Sequence, residues 1–307
     1  MRVWINGKLV PARRATVSAF DRGFLYGDGV YETLRAYAGI PFHLMEHYAR
    51  LRHSCAGLGI RCPFSLEGFR RALISTLRAN RLKDAVLRLT VSRGAGPVRL
   101  NPAGFHHPTS VILPRPLPSR ATRERARAKG VSVAIVGVRR NSREALDPQI
   151  KSSNFLNNIL ALREALRAGA DEALMLNHAG QLTEATTANV FIVRRGVLLT
   201  PALEAGLLEG VTRGLVLSLA RRARVPVRES ALLPRDLLAA DEAFLTNTTQ
   251  EITPLVRVRW ADRGWRRIGA GRPGSMTTRL QKLFQQEAAQ YIAGERARAA
   301  SPATARR

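Results

Sequence analysis

The spacing of apolar and polar positions changes period several times along this chain, and the changes mark out strands, helices and turns. Val3-Trp4-Ile5 and Lys8-Leu9-Val10 flank Asn6-Gly7, a dipeptide suited to a two-residue turn with positive φ at both positions, so a β-hairpin is predicted. The Gly/Asp-rich stretch FDRGFLYGDG reads as a loop entering VYETLRAY, whose alternation suits a strand with one buried face. Gly39-Ile40-Pro41 turns the chain into a helix containing EHYARLRHSCAGL, and a second helix follows Phe64-Ser65. AVLRLTVSR and SVILPRP read as strands separated by a loop rich in Gly, Pro and His.

PRPLPSR, with prolines at 114, 116 and 118, reads as a linker. The strand VSVAIV follows, then a polar loop through Asp147-Pro148 and the helix NFLNNILALREALRAG. That helix sets Leu156, Ile159 and Leu160 on one face and stops at Gly169. Next come the strands EALMLN, NVFIV and VLLT, the helix VTRGLVLSLARRA, the strand EAFLTN and a long helix from about Ser275. Strands and helices mix without regular βαβ alternation, which predicts a mixed α/β (α+β) fold of two domains. The expected division is a smaller domain over residues 1–114, a linker at 115–122, a larger domain over 123–293 and a disordered basic tail at 294–307.

Composition narrows the function classes. At 307 residues, 45% hydrophobic and 23% charged, the chain can bury one large core or two ordinary ones. No apolar run approaches the roughly 20 residues needed to cross a bilayer, and MRVWINGKLV lacks the apolar stretch of a signal peptide, so no membrane role and a cytoplasmic location are expected. Cys55 and Cys62 have no His or Cys neighbours at ligand spacing, which argues against a metal site or a disulfide scaffold. The net charge of +26 invites a nucleic-acid reading. The basic residues are almost all Arg and are scattered, however, with no aromatic-interleaved stripe, so nucleic acid is not expected as a partner. A basic binding protein that keeps the fold without chemistry is the non-enzyme alternative.

Candidate chemistry starts from the scarcity of lysine: only Lys8, Lys83, Lys129, Lys151 and Lys282 are present. Lys151 alone sits at a loop-to-helix junction, between Ile150 and the polar run Ser152-Ser153-Asn154. A partly desolvated lysine amine can form a Schiff base. A pyridoxal 5′-phosphate site would also need a carboxylate for the pyridine nitrogen and a cup of amides, hydroxyls and an Arg for the phosphate. Glu184, on the turn GQLTE before NVFIV, can supply the first. Glu209-Gly210-Val211-Thr212-Arg213 enters a helix whose amides suit an anion, Thr246-Asn247-Thr248-Thr249 ends a strand in hydroxyls, and Arg50 lies in HYARLRH. Each feature alone is common as a plain cap, turn or surface residue.

Their joint order carries a resemblance. YGDGVYETLR, EHYARL, DPQIKSSNFLNNILA, ADEALMLNHAGQLTEATTANVF, GLLEGVTR and NTTQEITPL together resemble the class IV aminotransferases, the fold type IV pyridoxal-phosphate enzymes, over most of the chain. That family includes branched-chain and D-amino-acid aminotransferases and aminodeoxychorismate lyase. The resemblance implies a smaller N-terminal α/β domain, a larger C-terminal domain with a barrel-like sheet, the cofactor between them, and a homodimer. It assigns the Schiff-base lysine to Lys151, the pyridine-nitrogen carboxylate to Glu184 and the phosphate to Arg50, Val211, Thr212 and Thr248, with Leu207 supporting the ring. Tyr26, Tyr31, Arg88, Arg99 and Thr249 fall to the substrate pocket.

Subgroup patterns diverge in the loop SRGAGPVRLNPAGFHHP. Val98 and Leu100 stand where D-amino-acid enzymes trap a carboxylate with an Arg and a His, and Arg99 is displaced by one. Tyr26 and Arg88 are more similar to branched-chain enzymes. The lyase ranks third, because Ser152 replaces its His after the lysine, although Thr33 resembles a residue it uses. The expected activity is transamination between a branched-chain or other apolar L-amino acid and a 2-oxo acid such as 2-oxoglutarate.

Overall fold

A computed structural model of the chain describes residues 1–260 and 264–300. They fall into two compact units. The first comprises Met1–Leu117, Ile150–Asn154 and the described residues from Gln285 onward; the second comprises Pro118–Gln149 and Phe155–Phe284.

The first unit contains β1 (Arg2–Ile5), β2 (Lys8–Pro11), α1 (Arg22–Tyr26), β3 (Gly29–Tyr37), β4 (Ile40–Pro41), α2 (Leu44–Gly57), α3 (Leu66–Ala79), β5 (Ala85–Ser92) and β6 (Thr109–Pro116). The expected hairpin forms at Asn6-Gly7, where φ is 45° and 89°. The strands make one antiparallel sheet in the order β2-β1-β6-β5-β3-β4. Side chains alternate across a pleated strand, so Val30, Leu34 and Ala36 of β3 share a face with Leu87, Leu89 and Val91 of β5. That face packs on Leu51 and Cys55 of α2 and on Phe69, Leu73 and Leu77 of α3. Ser65 caps α3 by accepting from the Gly68 amide at 3.1 Å. Tyr31 and Thr33 of β3, with Arg88 and Thr90 of β5, lie in the opposite parity.

The second unit contains α4 (Arg120–Lys129), β7 (Val131–Arg139), α5 (Leu156–Arg167), β8 (Glu172–Leu176), β9 (Leu182–Ala185), β10 (Asn189–Arg194), β11 (Val197–Pro201), α6 (Val211–Arg222), β12 (Val227–Ser230), α7 (Pro234–Leu238), β13 (Glu242–Asn247), β14 (Glu251–Trp260) and β15 (Trp265–Arg267). The final helix, α8 (Ser275–Ala300), begins here and continues into the first unit. The sheet order is β12-β11-β10-β13-β14-β7-β8-β9, and β9 pairs back onto β10. Six strands from β7 to β14 therefore close into a barrel. Val133, Leu174, Leu182, Val190, Ile192, Leu245 and Val258 fill its core.

Four features depart from the sequence expectation. The helix α4 occupies a stretch where no helix was expected, because RATRERARAK has no apolar stripe and buries no residue. In α5 the core contact is made by Ala161 and Ala165, while Leu156, Ile159 and Leu160 are exposed. Small residues let this helix approach β7 and β8 closely, which an apolar-stripe reading built on the leucines misses. The segment Ile150–Asn154, read as part of the larger domain, packs with the first unit. Finally, the tail expected from residue 294 is helical to Ala300, since Glu295 accepts from Arg70 at 3.4 Å and from Arg298 at 2.6 Å. The remainder of that expected tail, residues 301–307, lies outside the described residues.

Candidate active site

Lys151 sits on the open edge of β3 in the first unit. The short β4 pairs only with Ala36 and Tyr37, which leaves the Gly29–Tyr31 end of β3 without a strand neighbour on that side. Residues 151–153 take the place of that neighbour. The Tyr31 amide donates to the Lys151 carbonyl at 3.0 Å and the Ser153 amide to the Gly29 carbonyl at 2.8 Å, and Val30 bridges Ser152. The Lys151 amide donates to Ser54 Oγ of α2 at 3.0 Å. Opposed residues of antiparallel strands share a face, so Lys151 and Tyr31 meet: Nζ donates to the phenol at 2.9 Å and lies 4.2 Å from the ring centroid. Arg88, diagonal to Tyr31 across β3 and β5, places its guanidinium 4.0 Å from the same ring. The sheet edge thus presents a fixed amine, a phenol and a guanidinium together.

Arg50 of α2 is held from the sheet. Its Nε and Nη2 donate to the two carboxylate oxygens of Glu32 at 2.7 and 2.9 Å, the bidentate geometry that suits a guanidinium. His47 Nδ1 lies 2.7 Å from Glu32 Oε2. Glu32 is fully buried; burial would raise its carboxyl, but Arg50 and His47 outweigh it and hold the group far below the ordinary carboxylate range. Burial pushes the His47 imidazole below its ordinary value. Sequence reading missed Glu32, His47 and Ser54. The signal was present as an acidic residue on the apolar parity of β3, at Glu32, and as His47 and Arg50 three apart on α2.

In the second unit Glu184 lies on β9, nearly buried. Its Oε1 accepts from Arg140 Nε at 2.8 Å and its Oε2 from the Leu208 amide at 3.1 Å. Arg140 also donates to Asn157 Oδ1 at 3.2 Å, so the ion pair is braced from α5's first turn. The segment before α6 is tied down as well: the Leu207 carbonyl accepts from Gln149 Nε2 at 2.7 Å and the Leu208 carbonyl from Asn189 Nδ2 at 2.9 Å. Helix α6 starts at Val211 with Gly210 at its cap and no side-chain cap. The first amides of a helix have no intrahelical partner, so Val211 and Thr212 open an anion-binding end. A Cβ on Gly210 would fall 2.1 Å from Asn189 Oδ1, so a side chain there would displace the Asn189 amide. Thr248 lies in the turn joining β13 to β14, two positions after Thr246, whose buried hydroxyl has no hydrogen-bond partner among the described residues.

Tyr26, half-buried in α1, has its ring centroid 4.9 Å from the Arg22 guanidinium carbon. Arg99 is exposed and donates to the Ala103 carbonyl of its own loop at 2.7 Å. The Thr249 amide donates to Asn247 Oδ1 at 3.0 Å. Sequence reading also missed Arg140, which lay unmarked among many arginines.

A closed β-barrel unit and a six-stranded sheet that carries a lysine on its edge define a known class. The family model described as amino-transferase class IV matches residues 29–258. A provisionally named branched-chain-amino-acid aminotransferase of Methanocaldococcus jannaschii is 39% identical over 93% of this chain and 96% of its own length. The D-alanine aminotransferase of Bacillus licheniformis is 33% identical over 93% of this chain and 96% of its own length. The solved branched-chain amino acid aminotransferase of T.th. with pyridoxamine 5′-phosphate superposes with a TM-score of 0.87 at 30% identity, covering 93% of each chain. The chain belongs to the class IV aminotransferase family, and it is an enzyme of the fold type IV architecture.

Proposed function

We propose that this enzyme moves an amino group between a branched-chain or other apolar L-amino acid and a 2-oxo acid such as 2-oxoglutarate, with pyridoxal 5′-phosphate as cofactor. The observation that carries the reading is Lys151 Nζ on the Tyr31 phenol at 2.9 Å. The donor set of each unit suits the cofactor: an amine and an Arg held by Glu32 in the first; a carboxylate and an uncapped helix start in the second. When bound, the cofactor supplies an electron sink for charge developing at the substrate Cα. Lys151 would hold it covalently and, once released, its amine takes the proton from Cα, oriented by Tyr31. Glu184 would accept from the pyridine nitrogen, with Arg140 and the Leu208 amide fixing its two oxygens. Arg50, the Val211 and Thr212 amides and Thr248 would hold the phosphate, and Leu207 would support the ring.

The 39% identity with the archaeal relative supports a branched-chain substrate, and Arg99, bound to its own loop, supports an L- over a D-amino acid. A homodimer is supported by the exposed apolar stripe Leu156, Ile159 and Leu160, a surface that favours burial against a partner. The two free cysteines support a cytoplasmic setting. No helix among the described residues is long and apolar enough to cross a membrane.

The test assays purified enzyme with L-leucine, L-valine, D-alanine and D-glutamate. Turnover of the L-substrates is expected, and turnover confined to the D-series overturns the substrate assignment. Borohydride should lock the cofactor onto Lys151, and Lys151→Ala should abolish both label and turnover; a label mapped to another lysine overturns the site.

A further inference from the structure

We infer that Arg22 is a specificity-positioning residue: it holds Tyr26 and the loop of residues 94–108 in the single arrangement that walls the substrate's side chain. This rests on the assignment of an apolar amino acid to the site above.

Arg22 is 4% exposed, although it lies on a five-residue helix beside a loop whose residues 97–104 are exposed. Its whole donor fork is engaged. Nε donates to Asp28 Oδ2 at 2.8 Å, Nη1 to the Arg99 carbonyl and Nη2 to the Leu100 carbonyl at 3.0 Å. The rings of Tyr26 and Phe105 each lie 4.9 Å from its Cζ. One planar cation therefore grips α1's aromatic, the loop's backbone and the loop's aromatic together. A lysine ammonium has neither the fork nor the plane to do this.

The grip is anchored at both ends. Asp28 also accepts from Arg93 at 2.7 and 3.1 Å, and Arg93 donates to the carbonyls of Leu58 and Gly59 at 2.6 and 3.0 Å. Asp21, the cap of α1, accepts from the Gly23 amide at 2.8 Å and from Ser92 Oγ at 2.9 Å, and it bridges Ala95. At the other end of α1, Gly27 takes a left-handed φ of 67°, and a Cβ there would lie 3.9 Å from the Asn154 Cα. Asn154 belongs to the edge segment that carries Lys151. Thus α1 lies between the segment that carries Lys151 and the loop, and Arg22 is its joint to the loop.

The loop shows what the joint presents. Val98 and Leu100 stand 62% and 78% exposed, although Arg22 pins the carbonyls of Arg99 and Leu100 beside them. The resemblance sets Tyr26 in the substrate pocket, and the proposal extends that pocket along this backbone, which is held from within while its two apolar side chains face outward. Such a wall would meet substrate atoms beyond Cβ. Loosening it should therefore penalise leucine and leave alanine nearly untouched.

The experiment measures kcat and KM of the holoenzyme for L-leucine and L-alanine with 2-oxoglutarate, in wild type, Arg22→Met and Arg22→Lys. The leucine-to-alanine ratio of kcat/KM should fall by about tenfold or more in both variants, the scale on which a few methyl groups are discriminated. The loss should appear in the leucine KM, with the cofactor's visible absorbance unchanged. Phe105→Leu, which touches only the loop side of the joint, should shift the ratio in the same direction to a smaller extent and covers the case in which the Arg22 variants fail to fold. Tryptic cleavage after Arg99 should also accelerate in Arg22→Met, a readout that needs no turnover. An unchanged ratio in folded variants, or an equal loss for both amino acids, overturns the inference. Wild type that turns over no amino acid overturns the transaminase reading instead.

Discussion

Glu32 shows how much of this site is decided by one residue. Its carboxylate is fully buried and shared by Arg50 and His47. Removing one member of such a group leaves the others desolvated without compensation, which costs more than the pair itself contributes. Glu32→Gln should therefore lower unfolding free energy by about 3–5 kcal/mol at neutral pH, read by urea titration. The pH dependence has a definite sign. The carboxyl is depressed in the folded state from its ordinary value of 4.5, so its stabilisation is fully present above that value and is lost as pH falls below it. The gap between wild type and Glu32→Gln should shrink below about pH 4.5, and a gap that stays constant would show that Arg50 does not rely on the charge of Glu32.

At the scale of elements, Lys151 rides on a strand addition. A lone edge segment of five residues has few bonds of its own, and its place depends on β3 and on Ser54. Ser54→Ala removes the acceptor of the Lys151 amide. The expected cost is about 1 kcal/mol, with faster hydrogen exchange at the Lys151 amide and little change at α3. Unaltered exchange there would mean that the β3 pairing alone holds the segment. The same logic accounts for Gly210 at the start of α6, where a side chain would displace Asn189 from its bond to the Leu208 carbonyl. The helix start, the Leu208 amide and Glu184 are thereby fixed as one piece.

For the whole molecule, the net charge of +26 is the dominant long-range term. It is only partly answered by local pairs such as Arg93 with Asp28, Arg140 with Glu184 and Arg213 with Glu229. Self-repulsion of this size opposes the compact state and is screened by salt, whose Debye length is about 10 Å at 0.1 M. Raising sodium chloride from about 20 to about 300 mM should therefore raise Tm by several degrees; a Tm that falls would show that attractive pairs dominate instead.

Much of this was legible in one dimension. The Asn6-Gly7 hairpin, the alternation of β3, the glycine entry to α6 and the stop at Gly169 are local, because each follows from backbone preferences or a period of a few residues. The family was legible too, since few residue types suit such chemistry and the order of motifs is specific, and the proposed roles of Lys151 and Glu184 rest on that order. What local sequence could not determine were the pairings between distant residues. Glu32 meets Arg50, Arg140 meets Glu184, Arg22 meets the Arg99 and Leu100 carbonyls, and residues 151–153 join a strand more than a hundred positions earlier. Such contacts leave no period in the chain. They exist only after β3 and β5 align in register and the barrel closes, and it is that closure, not the residue types alone, that turns scattered arginines into positioned ones.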